Sequence, residues 1–366
     1  MKNDKKVAIL TNMVTPYRVP FFSELAKQVK HLDILTCVER EIDRQWDVEN
    51  AQSYSVIQLA GLTLNLNKGT DAKRILHFRF GIVWYLLRNR PGLLIIGDAS
   101  WTSFIAGLAC KLLMIDYFVW NEITTTSKVS GGIVDKFRRW LYQGSKKCIA
   151  SCMMAEDYLI SRGVEKKKIK IINNAVDNDY FLAQKEKLAP LRDKLREQFG
   201  IDQDTYTFIY VGQLISRKRV VETVEVIAKL AETQKVHLLV AGTGPLEDAM
   251  RSKAQSLNFS NITFCGFANS ETLCELYTAS DALVLLSEDE PWGMVVNEAI
   301  LFNINFYCTN EVAAAVEFNK KFGIGVLYDF NSEFEIIKLE SKLDFNIFFS
   351  PEEMAVLFIS EVYGKN

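Results

Sequence analysis

The sequence predicts an α/β protein: two Rossmann-like domains with parallel sheets facing across a cleft. Three observations carry this. Short apolar runs of strand length alternate with stretches of helical period along most of the chain. The alternation restarts after a polar, Lys-rich segment at residues 184–196. The length of 366 residues leaves room for two cores. Alternation of this kind builds parallel sheets with right-handed crossovers.

Residues 7–11 read as the first parallel strand and 19–29 as its helix. Residues 32–37, 55–59, 93–96 and 117–120 read as further strands, and 75–90 and 104–113 as helices. In the second series 208–211, 237–241, 262–264, 282–286 and 305–308 are strand-like, with helices such as 220–231 and 246–257 between them. Ser350-Pro351-Glu352-Glu353 is a capping-box start with proline at the first helical position. It predicts a final helix of about a dozen residues. The expected division is an N-terminal domain over 1–180, a C-terminal domain over 181–349, and a helix in 350–366 that is free to return to the first domain.

Hydrophobic residues make up 49% of the chain and charged ones 24%, the balance of a soluble globular protein. The run 7–10 behind Lys5 and Lys6 is too short for a secretory signal, and the apolar stretch 104–120 is broken by Lys111 and Asp116. Seven scattered cysteines suit reduced thiols in a cytoplasmic protein. Cys148 and Cys152 are not spaced as a redox pair, and His31, His77 and His237 are too dispersed for a metal cluster. No metal, cofactor or nucleic-acid partner is expected.

The net charge of −2 hides an asymmetry. Residues 1–180 carry 26 Lys and Arg against 18 Asp and Glu, a balance of +8; the rest carry 17 against 27, a balance of −10. The basic half suits an anionic lipid or a phosphate-bearing acceptor. Residues 73–90 interleave Lys73, Arg74, Arg79, Arg88 and Arg90 with Phe78, Phe80, Trp84 and Tyr85. A basic, aromatic helix can lie on an anionic bilayer. The commoner arrangement packs such aromatics on the sheet and leaves the charges in water.

The densest signal is Ser-Glu-Asp-Glu-Pro-Trp-Gly-Met-Val-Val-Asn-Glu-Ala-Ile at 287–300. It reads as strand end, loop and helix. Glu290 then lies in the loop and Glu298 just inside the helix, at the edge where open α/β sheets bind ligands. A helix N-terminus there attracts phosphate. Gly212 and Lys218, in Val-Gly-Gln-Leu-Ile-Ser-Arg-Lys-Arg, form a second strand–turn–helix junction suited to an anion. Ala241-Gly242-Thr243-Gly244-Pro245 and Phe264-Cys265-Gly266-Phe267 supply two more strand-end turns. Each is weak alone; their order and spacing together are specific.

Residues 206–328 resemble the donor domain of glycosyltransferase family 4, retaining enzymes of the GT-B fold. The resemblance rests on the Gly212–Lys218 loop, the Gly-Thr-Gly-Pro turn, Ser280-Asp281-Ala282 and Glu290-Pro291-Trp292-Gly293…Asn297-Glu298-Ala299. The first half matches more loosely, through Thr15-Pro16-Tyr17-Arg18 and Asn174-Ala175-Val176-Asp177…Phe181. The resemblance implies that Glu298 bonds the ribose hydroxyls and that Glu290 sits near the reacting sugar carbon. Lys218 would neutralise the diphosphate with the backbone N–H groups of Gly293 and Met294. Phe267 would lie against the base, with Gly212, Gly244 and Arg217 completing the donor site. Tyr17, Arg18, Asn121 and Glu122 would stand on the acceptor side.

The chain departs from the family at Gln213, where arginine is usual, which leaves Arg217 or Arg219 to supply the charge. Asn303-Ile304-Asn305 stands in place of a usual glycine, the first loop lacks the usual glycine pair, and the acceptor-side histidine has no counterpart. Asp177-Asn178-Asp179 imitates a metal-binding DxD but falls where an interdomain turn is expected. The expectation is a metal-independent, retaining transferase of a UDP- or GDP-sugar. Its acceptor would be a glycan or a lipid-linked molecule in surface polysaccharide or glycoconjugate synthesis, met in the cytoplasm or on the inner face of the membrane. A nucleotide-sugar epimerase and a non-catalytic sugar-nucleotide-binding subunit are the alternatives. An NAD-dependent oxidoreductase is disfavoured, because no Gly-x-Gly-x-x-Gly follows the first strand.

Overall fold

The computed structural model describes residues 3–39, 53–66, 74–97, 100–129, 131–337 and 350–363. Lys73 and residues 364–366 lie outside them. The chain divides into two compact units, Met1–Val176 with Phe349–Asn366, and Asp177–Phe348.

The first unit contains β1 (Asn3–Thr11), α1 (Val19–Gln28), β2 (Val29–Thr36), β3 (Ser55–Gln58), β4 (Leu62–Leu66), β5 (Arg74–Phe78) and α2 (Gly81–Asn89). There follow β6 (Leu93–Ile96), α3 (Trp101–Leu113), β7 (Tyr117–Asn121), α4 (Ile133–Gln143), β8 (Lys147–Ala150), α5 (Met153–Ser161) and β9 (Ile169–Ile171). Seven strands form a parallel sheet in the order β3-β2-β1-β6-β7-β8-β9. Residues 7–10 and 93–96 are apolar at every position because both faces of their strands are buried.

The expected helix 75–90 is corrected. Arg74–Phe78 is a strand, paired antiparallel with Leu62–Leu66. The helix begins only at Gly81, where a Cβ would stand 2.8 Å from the Ala60 nitrogen. A short apolar run does not by its period separate strand from helix. Arg79 is also not a surface cation: it is buried, and its Nη2 donates to Thr63 Oγ1 at 2.7 Å.

The helix Pro351–Tyr363 belongs to this unit. Its capping box forms: the Glu353 amide donates to Ser350 Oγ at 3.1 Å, and the Ser350 amide to Glu353 Oε2 at 3.2 Å. Phe358 is fully buried against Phe21 and Trp120, with ring centroids 4.8 and 4.9 Å apart. The last helix therefore completes the core over α1.

The second unit opens with α6 (Asn178–Leu188) and α7 (Arg192–Gln198), so the polar segment 184–196 is largely helical. It hides little more than Leu188, Leu195 and Arg196, which explains its polar composition. Asp177 caps α6, accepting from the Tyr180 amide at 3.1 Å; the Asp-Asn-Asp run starts a helix rather than forming a free turn. Then come β10 (Tyr206–Val211), α8 (Val220–Leu230), β11 (Val236–Ala241), α9 (Glu247–Ser256), β12 (Ile262–Gly266), α10 (Ser270–Ala279), β13 (Ala282–Leu285), α11 (Met294–Leu301), β14 (Asn305–Thr309), α12 (Ala313–Phe322) and β15 (Val326–Tyr328). The parallel sheet runs β12-β11-β10-β13-β14-β15. Counted within the unit this is third, second, first, fourth, fifth, sixth, the doubly wound order. Its direction reverses between β10 and β13.

Asp281, part of the Ser-Asp-Ala motif, holds this unit together. Oδ1 pairs with Arg192 Nη2 at 2.6 Å, and Oδ2 with Arg196 Nη1 at 3.4 Å and the Thr207 amide at 2.8 Å. The Arg196 side chain is 2% exposed, and burial lowers its affinity for the proton. Removing the partner of a buried charge costs more than the pair itself contributes. Asp281→Asn is expected to lose about 2 kcal/mol in urea unfolding; an unchanged midpoint would show the arginines to be satisfied by backbone carbonyls alone.

Candidate functional site

In the second unit, the loops following β10 and β13 meet at the point where the strand order reverses. The β10 loop is shaped by glycine. Gly212 and Gly242 have φ values of 150° and 153°, and a Cβ on Gly242 would overlap the Gly212 carbonyl oxygen. A Cβ on Gly244 would stand 2.5 Å from the Leu214 carbonyl oxygen. Leu214 bonds Thr243 and Leu246 through backbone, at 3.0 Å each. The β10 and β11 turns therefore form one compact floor.

The floor leads into a 3-10 turn, Ser216–Lys218, that delivers Lys218. Lys218 is only 8% exposed, and its ammonium pairs with Glu290 Oε2 across a sequence separation of 72 residues. The Glu290 loop is fixed by a parallel bridge to Val312: the Glu290 amide donates to Glu311 O and the Ala313 amide to Glu290 O, both at 3.1 Å. Gly293 caps α11 at φ 97°, with Met294 as its first helical residue. The Val296 amide turns back to Gly293 O at 2.9 Å, and the aligned peptide units give this end of the helix a positive dipole.

Glu298 lies one turn into α11. The Tyr277 hydroxyl on α10 donates to its Oε2 at 2.7 Å. Burial pushes the Glu298 carboxyl up to about 7, and the Tyr277 bond offsets part of that shift. Near neutral pH the group is divided between its acid and its anion. Sequence reasoning missed Tyr277, which reads there as one more apolar helix position.

The structure places the remaining donor-side candidates less uniformly. Arg217 is exposed and donates to the Asp289 carbonyl at 2.8 Å, while the Glu288 amide donates to Arg217 O at 2.8 Å. Its visible work is to brace the Glu290 loop. Arg219 Nε lies 3.6 Å from Glu288, and its guanidinium stands 4.8 Å from the Phe330 ring. Phe267 is 44% exposed, so core packing does not account for it. Its strand end adjoins the glycine floor, where the Gly242 amide donates to Gly266 O at 2.7 Å.

A second cluster sits in the first unit, at the carboxyl ends of β1 and β7. Arg18 is buried and donates to Glu122 Oε1 at 2.5 Å and to Asn174 Oδ1 at 3.1 Å. Asn174 Nδ2 donates to the same Glu122 oxygen at 2.7 Å. The guanidinium lies 3.9 Å from the Trp120 ring centre and 5.4 Å from that of Tyr17. Asn121 is committed to structure, donating to Ile123 O at 2.8 Å and accepting from the Tyr142 hydroxyl at 3.2 Å. Glu122, by contrast, keeps 37% of its side chain exposed. Asn174 and Trp120 join these candidates only in three dimensions.

Solved structures share this architecture. The Anabaena protein HepE, crystallised with UDP and glucose, superposes with a TM-score of 0.65 at 14% identity, over 98% of this chain and 90% of that one. UDP-GlcNAc 2-epimerase of Methanocaldococcus jannaschii superposes with a TM-score of 0.57 at 15% identity, over 98% and 100%. The fold is therefore GT-B, and at these identities the likeness extends to the fold alone. Within it, residues 192–342 match the family model described as glycosyl transferases group 1. An uncharacterized glycosyltransferase of M. jannaschii is 26% identical over 163 residues, 43% of this chain and 40% of that protein. The match thus spans less than half of that relative's own length.

Proposed function

We propose that this chain is a retaining, metal-independent glycosyltransferase of the family 4 type. It would move a sugar from a UDP- or GDP-sugar to a glycan or lipid-linked acceptor in surface polysaccharide or glycoconjugate synthesis. The observation that carries the reading is the pairing of Lys218 with Glu290 where the doubly wound sheet reverses, in the loop that leads into the N-terminus of α11. The match of residues 192–342 to group 1 glycosyl transferases supports it.

The chemistry follows from charge. Breaking a sugar–diphosphate bond develops positive charge on the sugar and negative charge on the departing phosphate. Lys218 and the α11 amides stabilise the second; the Glu290 carboxylate orients or stabilises the first. Glu298 takes the ribose hydroxyls, and Phe267 the base. Glu122, held by Arg18 and Asn174, faces the acceptor.

A panel of nucleotide sugars tests this by thermal shift and turnover. A UDP- or GDP-sugar at about 100 times its Kd is expected to stabilise the protein by about 2.7 kcal/mol, and to be consumed rapidly only with acceptor present. Conversion of the donor alone into an epimer would favour the epimerase reading. Absence of any shift across the panel would remove the sugar-nucleotide site.

A further inference from the structure

Helices α2 and α3 pack side by side, and each leaves large apolar side chains in the open. On α2 and its entry, Phe80, Trp84 and Leu87 are 55%, 67% and 47% exposed; on α3 and its exit, Leu108, Leu112 and Met114 are 44%, 75% and 92% exposed. Positions 80, 84 and 87, and positions 108 and 112, follow helical spacing, so each set forms one stripe. The opposite side of α2 packs inward through Ile82, Tyr85 and Leu86. Trp84 and Phe80 are thus not core aromatics. Six large apolar side chains left open on two packed helices exceed the single, scattered exposures that are normal on a surface, and a group of this kind marks an interaction site.

A second observation concerns the helix ends. Arg90 caps α2 at φ 41° and Met114 caps α3 at φ 56°. Glycine is the ordinary residue in that left-handed position, and any other residue there is strained. Both strained residues belong to the exposed surface, one a cation and the other the most exposed large apolar residue of the set. Folding gains nothing visible from either side chain. Strain of this kind points to a use outside the core.

Charge selects the occupant. Arg88 and Arg90 are exposed and form no ion pair among the described residues, and Lys111 is exposed on α3. Within 74–116 the acidic residues are Asp98, which lies outside the described residues, and Asp116, which Lys146 pairs at 2.6 Å. Tryptophan beside leucine, methionine and arginine suits the boundary between headgroups and acyl chains, where the ring is half wet and arginine extends to phosphate.

We propose that the α2–α3 surface docks the protein onto an anionic lipid bilayer, with Trp84, Leu112 and Met114 entering the interface and Arg88 and Arg90 binding lipid phosphate. This rests on the first unit alone and stands or falls independently of sugar transfer.

The test is co-sedimentation of the full chain with vesicles of phosphatidylcholine, and of phosphatidylcholine mixed equally with phosphatidylglycerol. Binding is expected to the mixed vesicles only, and each arginine is expected to contribute about fivefold in partition. Trp84→Ala is expected to weaken binding about tenfold without lowering the thermal midpoint. Arg90→Gly and Met114→Gly separate docking from structure. Each relieves a strained cap and is expected to raise the midpoint of its unit by about 2–4 °C, while partition falls. Midpoint and partition moving together, or partition unchanged in both variants, would overturn the proposal. Failure to sediment with phosphatidylglycerol would do the same, as would equal binding to both vesicles. Self-association in ultracentrifugation that Trp84→Ala abolishes would assign the surface to a second copy of the chain instead.

Discussion

Replacing Glu298 by alanine is expected to weaken nucleotide-sugar binding about 10²–10⁴-fold while leaving the fold intact. Two charge-assisted hydrogen bonds to neighbouring ribose hydroxyls are each worth about 1.5–3 kcal/mol, and the loss of the pair falls mostly on affinity. Isothermal titration with the donor found by thermal shift checks this, and unchanged affinity would sink the assignment. The same residue predicts a pH dependence. Burial holds its folded carboxyl up at about 7, above the usual 4.5. The folded state therefore holds this proton more tightly than the unfolded chain. The sign follows: the contribution of Glu298 to stability is fully present below about 4.5 and is lost as pH rises through about 7. The side chain is only partly buried, so the effect is about 1–3 kcal/mol. Glu298→Gln is expected to be more stable than the parent at pH 8 and level with it near pH 4, measured by urea unfolding. A constant difference across that range would mean the carboxyl does not titrate there.

The second large effect is at the Lys218–Glu290 pair. Lys218→Ala removes the cation proposed to meet the leaving diphosphate and leaves Glu290 without its partner. Turnover is expected to fall about 10²–10³-fold, the usual cost of losing one preorganised group aimed at developing charge. Glu290→Gln keeps shape and hydrogen bonding, so kcat should fall by a similar factor with a smaller change in donor affinity. Wild-type turnover in Glu290→Gln would remove its proposed role. A double-mutant cycle adds a check on the geometry. Because the two groups touch, Lys218→Ala with Glu290→Ala should destabilise less than the two single changes added together. Strict additivity would show that the ion pair is not formed in solution.

Much of the candidate site in the second unit was legible as sequence because it is locally coded. Gly212, Gly242, Gly244 and Gly293 occupy turns or close approaches that a side chain would strain or obstruct, and strand–turn–helix junctions place Lys218 and Glu290 in the loops just beyond their strand ends, with Glu298 in the helix that follows. Ser280-Asp281 was legible as a motif but not in meaning, since its carboxylate serves two arginines more than 80 positions earlier. The start of the expected helix 75–90 was misread, because the five residues Arg74–Phe78 form a strand only when Leu62–Leu66 is there to pair with. Asn174 was legible only as part of a loosely matched motif, and Tyr277 and Trp120 carried no local signal at all.

Sequence alone determined the α/β class, the first five second-unit strands and the turns between them, but not β15. Each of these depends on hydrophobic period and backbone permissiveness within a few neighbouring residues. Tertiary structure decided which loops meet: strand order sets β10 beside β13, bringing Lys218 to Glu290 across 72 positions. It also decided that Phe358 completes the core beside Phe21 and Trp120, and that Trp84 faces outward while Tyr85 does not. Pairings of this kind are settled by packing between distant segments, which no local pattern encodes.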